Sequence, residues 1–549
     1  MDNLFYWVSI GVFVLFLVGV GLFTMRRNKT TADFFLGGRS IGPWISAFAY
    51  GTTYFSAVIF IGYAGGLGFT FGLPVLWIAI GNTVVGSFLA WLVLARRTRV
   101  LTSRLNAMTM PEFLEARYQS RAFKVLSAIV VFLFLIPYSG SVYSGLSFLF
   151  VNILGIGYHH ALAFMTVLTA IYLLLGGYTA VSISDFIQGL IMLVGSVLMV
   201  FYIITHPAVG GGAGLVSGLQ KIDPNLTQAF PSGGASLMWL VILTSLGAWG
   251  LPQMVQKFYA IKNEKVIFTA MVVGTVFCLI IAGAAYFVGS ATSLYGGELV
   301  KENAGLFQDH PQYAAALTNP GIAKAVVGEA MRNQAYPNTA IIPQMLKIAL
   351  PEFLLGIVLL LVLSASMSTL SSLVLVSSSS IVIDLIQGYF RPELSKGKSV
   401  FLMRFFCLVF VLVSLLVAVY GEKWPYLVAL MSFSWGTISG AFLAPYLYGL
   451  FWKGVTKAGA WAGFVVGLGY SVGSFLYYYV RPELRPLIKD IAPQVGSISM
   501  LLPLLVVPIV SWLTPKFSQA HIDRVFLAEG KFISRRQGQA FGEEERKVV

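Results

Sequence analysis

Ala47-Phe48-Ala49-Tyr50-Gly51-Thr52-Thr53-Tyr54-Phe55-Ser56-Ala57 lies in the middle of an apolar stretch, 44–66. A bilayer core about 30 Å thick needs about 20 helical residues, so the stretch is long enough to cross it. Glycine and hydroxyl residues at a span's midpoint suit a discontinuous helix whose unwound carbonyls face an ion. They also suit an intact helix with small residues packed at an interface. From this segment alone both readings stand.

Moving outward, the same kind of stretch recurs along the whole chain. Thirteen spans are expected, at about 4–24, 44–66, 73–95, 122–152, 159–179, 183–205, 236–256, 267–291, 353–383, 399–420, 425–450, 458–479 and 496–513. Composition agrees. Of 549 residues, 57% are hydrophobic and 11% charged, against about 25% charged in soluble domains. Mean hydropathy is +0.81. This is an all-α membrane protein. The first stretch has its positive residues, Arg26, Arg27 and Lys29, after it. A cleaved signal peptide has the opposite order, so the first helix is read as retained, with its N-terminus outside.

The net charge of +14 would suit nucleic acid. Here, however, Lys and Arg cluster in alternate connections: Arg96, Arg97, Arg99 and Arg104, then Lys257, Lys262 and Lys265, then Arg391, Lys396 and Lys398, then Lys453 and Lys457. With Arg535 and Arg536 they mark the cytoplasmic side. Nucleic acid is not an expected partner; membrane lipid is. The expected location is the inner (plasma) membrane, with one transporter domain over 1–515 and a cytoplasmic tail over 516–549. A monomer suffices for this arrangement.

Two external segments are long. Residues 206–235 are Gly-rich and read as a flexible loop; 292–352 include a short surface helix, Asn338–Leu350, after Pro337. Thr109 caps an internal helix over Thr109–Tyr118, with Pro111 near its start.

Engines and catalytic centres are missing from the motif inventory. There is no phosphate-binding loop and no H-E-x-x-H. The five histidines have no metal-ligand spacing, and Cys278 and Cys407 both lie inside spans. An enzyme is not expected. Energy for transport would come from an ion gradient.

Polar residues inside spans are costly and mark function. The ninth span reads Ser364-Ala365-Ser366-Met367-Ser368-Thr369-Leu370-Ser371-Ser372, then Ser377 to Ser380. Ser368, Ser371 and Ser372 share one helical face. Hydroxyls and carbonyls suit sodium, a hard cation; alternatively each hydroxyl bonds the carbonyl four residues back. Asp185 near the start of the sixth span either caps it or ligates a cation. Asn82, Tyr138, Ser139, Tyr143, Thr244, Trp249 and Gln253 are candidates to line a solute cavity.

Four stretches together resemble the sodium:solute symporter family: Asp33-Phe-Phe-Leu-Gly-Gly-Arg39-Ser-Ile-Gly-Pro-Trp44, Leu105-Asn-Ala-Met-Thr109-Met-Pro-Glu-Phe-Leu-Glu-Ala-Arg-Tyr118, Gly176-Gly-Tyr-Thr-Ala-Val-Ser-Ile-Ser-Asp185-Phe-Ile-Gln188 and Met367-Ser-Thr-Leu-Ser-Ser372. They occur in the family's order and span most of the chain. The resemblance implies a LeuT-type fold of two inverted five-helix repeats, about 44–205 and 236–450, with a broken first core helix. It implies a main sodium site from the carbonyls of Thr52, Phe55 and Ala365 and the side chains of Ser368 and Thr369. Some members have a second sodium site, which maps onto Asp185, Ser368, Ser371 and Ser372. One or two Na⁺ ions are thus expected, with no organic cofactor.

The implied function is sodium-coupled import of a small organic solute by alternating access. The solute would be a monocarboxylate, an amino acid such as proline, or a pantothenate-like acid. Members that carry proline have an Asp where this chain has Tyr54. They also have a Trp and a Tyr where it has Thr244 and Ala248. The substrate candidates are Tyr54, Ser56, Asn82, Tyr138, Thr244, Ala248 and Trp249. The rival is a transporter-like membrane sensor or receptor, for which the segment after Lys516 is short.

Overall fold

The computed structural model describes residues 2–25, 30–391, 393–421 and 427–526. Arg26, Arg27 and Lys29, the pair Arg535 and Arg536, and the expected tail beyond residue 526 lie outside the described residues. Among the described residues the chain is helical, with one isolated bridge, Ile41 to Ile261.

Among the described residues, ten helices are long and apolar enough to cross a membrane, and the bent pair Pro43–Tyr54 with Val58–Phe71 makes an eleventh. Tyr158–Ile171 and Leu427–Phe451 complete the expected thirteen. The fifth and sixth spans run as one long helix, Tyr158–Thr205, broken where Gly177 takes φ 57° and ψ −165°. That conformation is closed to residues with a Cβ.

The second span begins with Pro43 in its first turn, where proline's fixed φ is preorganised. It ends at Tyr54 because Phe55 is extended, at φ −112° and ψ 126°. The chain then turns by 41° into Val58–Phe71. The Gly/Thr-rich stretch is therefore a broken helix rather than an intact one. A matching break opens the second repeat. Ala235–Gly247 and Pro252–Tyr259 are separated by a turn with Leu251 extended. Pro252 has no N–H to give to a continued helix.

The two broken helices are tied together at one end. Ile41 N–H donates to Ala260 O (3.3 Å) and Lys262 N–H donates to Ile41 O (3.0 Å). The ninth span, Glu352–Ser379, is buried along nearly its whole length and packs on the second, fourth and sixth spans. It is the central post of the bundle.

Both long connections differ from expectation. Residues 206–235 hold a helix, Gly211–Ile222, and a turn of 3₁₀ helix, Pro224–Thr227. Asp223 caps the latter by accepting from Asn225 N–H (2.9 Å). Within 292–352, short helices bury Leu299, Val300, Phe307, Val326 and Val327 against Phe69 in a second small core. The expected surface helix is Ile341–Ala349, and it is buried through Ile341, Ile342, Met345 and Leu346. The internal helix runs Met110–Tyr118, with Thr109 accepting from Glu112 N–H (3.1 Å).

Candidate functional site

The break in the second span leaves carbonyls without helical donors, and the ninth span brings hydroxyls to them. Ser368 Oγ lies 3.0 Å from Thr52 O and 3.0 Å from Ala365 O. Thr369 Oγ1 lies 3.4 Å from Thr52 O, 3.2 Å from Thr53 O, 3.3 Å from Phe55 O and 3.1 Å from Ala365 O. Thr52, Phe55, Ala365, Ser368 and Thr369 are all buried to 0% exposure.

Two arguments distinguish this cluster from ordinary packing. One is hydrogen supply. Ser368 and Thr369 have one hydroxyl hydrogen each, yet four carbonyls converge on them. Buried carbonyls left short of donors, like those at the break in the second span, are costly, and a cation would relieve them. The other is spacing. Oxygens about 2.4 Å from a hard cation and at right angles sit roughly 3.4 Å apart, close to the distances found here.

The neighbouring polar set is arranged differently. Asp185 is fully buried in the sixth span, well past its start, so it is not a helix cap. Ser371 Oγ donates back within its own helix, to Met367 O (2.8 Å) or Ser368 O (2.9 Å). Ser372 Oγ lies 2.9 Å from Thr53 Oγ1 and accepts from Lys257 Nζ at 2.9 Å. Lys257 Nζ is also 3.6 Å from Asp185 Oδ2. Lys257 is therefore not a residue of a cytoplasmic connection, as the charge pattern suggested. The helix runs on to Tyr259 and turns the lysine inward, at 1% exposure.

Ser377 to Ser380 contribute no comparable cluster. Ser378, Ser379 and Ser380 donate to carbonyls three residues back, and the helix then widens into a π-helical stretch, Ser380–Phe390.

Beside the break, Tyr54 donates to Thr244 O (2.7 Å) and stacks on Phe55 and Trp435, with ring centroids 4.8 and 6.1 Å apart. Tyr138 meets Trp435 edge-on at 5.8 Å. The Ser56 hydroxyl accepts from Val58 N–H at 3.2 Å, where the helix resumes. Tyr54 and Tyr138 thus come together on Trp435, a residue the sequence reading missed, and Thr244 meets Tyr54 through its carbonyl. Its signal was available: Ser432-Phe-Ser-Trp-Gly-Thr437 is another glycine-and-hydroxyl run within a span.

Asn82 and Trp249 face other partners. Asn82 Oδ1 accepts from Ser245 Oγ (3.2 Å), and Trp249 Nε1 donates to Val85 O (2.9 Å). The Thr244 hydroxyl is committed to Leu240 O (2.9 Å). Ala248 is buried at the second break and carries no polar group.

A narrow cleft approaches from the end of the bundle that carries the internal helix. Thr109, Gln256, Tyr259, Ser380 and Asp384 line it. Thr109 Oγ1 donates to Asp384 Oδ1 (2.6 Å), and Lys124 pairs with Glu115 (3.1 Å) and Glu112 (3.5 Å). These contacts bridge the internal helix to the fourth and ninth spans' ends.

Comparison with known proteins agrees with this architecture. Over 94% of its length the chain superposes on a sodium-coupled sialic acid symporter in a substrate-bound outward-open state. The TM-score is 0.73, all of that chain is covered and identity is 18%, a likeness of fold. The chain is 31% identical over 512 residues to the high-affinity proline transporter PutP of Bacillus subtilis, covering 92% of itself and 97% of that protein. It is 32% identical over 470 residues to the sodium/proline symporter of Haemophilus influenzae, covering 84% and 85%. The model of the sodium:solute symporter family matches residues 34–467. The chain belongs to the sodium:solute symporter family.

Proposed function

We propose that the chain imports a small organic solute across the plasma membrane, driven by sodium bound at the broken second span. The observation that carries this reading is the convergence of four carbonyls on the hydroxyls of Ser368 and Thr369. Sodium there would be held by Thr52, Phe55 and Ala365 carbonyls and the two hydroxyls. These ligands are neutral, so the ion is bound without a compensating fixed charge and can leave on the other side.

In this mechanism sodium enters from outside and fixes the carbonyls of Thr52 and Phe55. That orders the turn bearing Tyr54 and Ser56, which completes the solute site beside Trp435. The repeats over 44–205 and 236–450 then rock against each other. The cytoplasmic side opens by parting Thr109 from Asp384 and Lys124 from its glutamates. The N-terminus lies outside and the described C-terminal helix, Gln519–Phe526, lies in the cytoplasm. One charge moving through 100 mV contributes about 2.3 kcal/mol, roughly fifty-fold in accumulation.

The relatives' names make proline the first solute to try. Tyr54, Thr244 and Ala248 depart from the pattern of proline-carrying members, so small monocarboxylates and pantothenate-like acids belong in the same panel. Uptake of labelled solutes into proteoliposomes, under an inward sodium gradient and under potassium, is the test. At least one solute accumulates only with sodium, and Ser368→Ala weakens that dependence. Unchanged sodium dependence in Ser368→Ala refutes the cage.

A further inference from the structure

Beside the cage, the side chain of Lys257 reaches the buried carboxyl group of Asp185. Asp185 is fully buried, and neither of its carboxylate oxygens has a hydrogen-bond partner. A carboxylate in that state needs a positive charge near it. Lys257 brings one. Its Nζ is 3.6 Å from Asp185 Oδ2, donates to Ser372 Oγ at 2.9 Å, and lies 5.2 Å above the Tyr178 ring.

Asp185 and Ser372 are two of the four side chains that map onto the family's second sodium position. The other two are engaged elsewhere: Ser371 donates within its own helix, and Ser368 faces Thr52 O. A sodium ion bound to Asp185 and Ser372 would sit within a few ångströms of the ammonium. Like charges so close in a dry interior repel strongly. One pocket cannot hold both.

We propose that the Lys257 ammonium is a tethered occupant of the second cation position, so that the chain binds one exchangeable sodium ion rather than two. Lys257 sits on the helix that follows the break in the seventh span. Through Ser372 and Thr53 it touches the backbone of the sodium cage. The tethered charge thus joins the two broken helices on the cytoplasmic side of the cage.

This rests on the sodium reading of the neighbouring cage, and the test separates the two. Equilibrium binding of ²²Na⁺ to the purified full-length protein counts ions without needing the solute. The wild type binds one per chain. Lys257→Met and Lys257→Gln leave Asp185 uncompensated and bind two. Lys257→Arg keeps a charge and binds one. Adding Asp185→Asn to Lys257→Met returns the count to one. Two ions per wild-type chain overturn the proposal, as does a single ion in folded Lys257→Met and Lys257→Gln, their retained first site reporting the fold. No sodium bound by the wild type overturns the cage itself.

Discussion

Thr369→Val is the sharpest probe of the cage, because valine keeps the shape of threonine and removes only its oxygen and proton. Thr369 Oγ1 is 3.1–3.4 Å from the carbonyls of Thr52, Thr53, Phe55 and Ala365. No other side-chain oxygen in the cluster reaches both sides of the helix break. Its loss removes one proposed sodium ligand and turns a methyl group toward the carbonyls. Contacts to a charged group contribute about 1.5–3 kcal/mol, and each 1.4 kcal/mol is a factor of ten. The half-saturating sodium concentration should therefore rise by about 10- to 150-fold. Thr369→Ser, which keeps the hydroxyl, should stay within about threefold.

The assay is sodium-titrated uptake in proteoliposomes, paired with ²²Na⁺ binding. Thr166→Val is the control. Thr166 is a buried threonine whose hydroxyl bonds only Leu162 O in its own helix (2.7 Å). Linkage adds a second reading: a factor by which sodium tightens solute binding must equal the factor by which solute tightens sodium. Weakened sodium binding in Thr369→Val must then appear as weakened solute binding at fixed sodium. If folded Thr369→Val shows the wild-type sodium titration, the hydroxyl is a packing element and the proposed ion site is wrong.

Other perturbations have equally definite outcomes. Trp435→Ala removes the ring on which Tyr54 and Tyr138 pack. Uptake kinetics should show solute half-saturation raised more than tenfold, with Trp435→Phe closer to wild type. Gly68→Ala drives a methyl into the backbone of Gly289; overpacking of this kind costs about 1–3 kcal/mol, so the detergent-solubilised protein should melt at a lower temperature. His521 anchors Gln519–Phe526 by contacts to Arg117 O (2.9 Å) and Gln119 (3.0 Å). Burial lowers its pKa below the usual 6.5 despite the Arg117 carbonyl contact. The docked helix therefore favours neutral imidazole, and its stability is present above pH 6.5 and lost as pH falls below. Hydrogen-exchange protection over 519–526, corrected for the pH dependence of intrinsic exchange, should fall between neutral pH and pH 5.5 and lose that dependence in His521→Gln.

Much of this was legible because a bilayer penalises polar groups so heavily. Thr52, Ser368 and Thr369 stood out as hydroxyls in apolar spans, and the structure brings them together. Trp435 was overlooked because an aromatic residue in a span carries no such penalty and reads as packing. Apart from Ile341–Ala349, the helices within 206–235 and 292–352 were illegible for another reason. They are too short to be stable by themselves and exist through burial, as Leu299 and Val327 pack against Phe69.

Lys257 shows where hydropathy misleads. A window average ends the seventh span at the first lysine, because it prices that lysine as if it faced lipid or water. The helix continues, and the lysine faces a carboxylate that no window can see, 72 positions earlier in the chain. Each charge taken alone looks like topology or a cap; only their pairing at 3.6 Å makes a buried cation site. The cage and the pair then form one device. Thr53 lends its carbonyl to the cage and its hydroxyl to Ser372, which holds Lys257. A sodium ion that draws the Thr52–Phe55 backbone inward must move the Thr53 hydroxyl with it. That loads the contact binding the first repeat's broken helix to the second's. On the proposed reading, ion and conformation couple through this single residue.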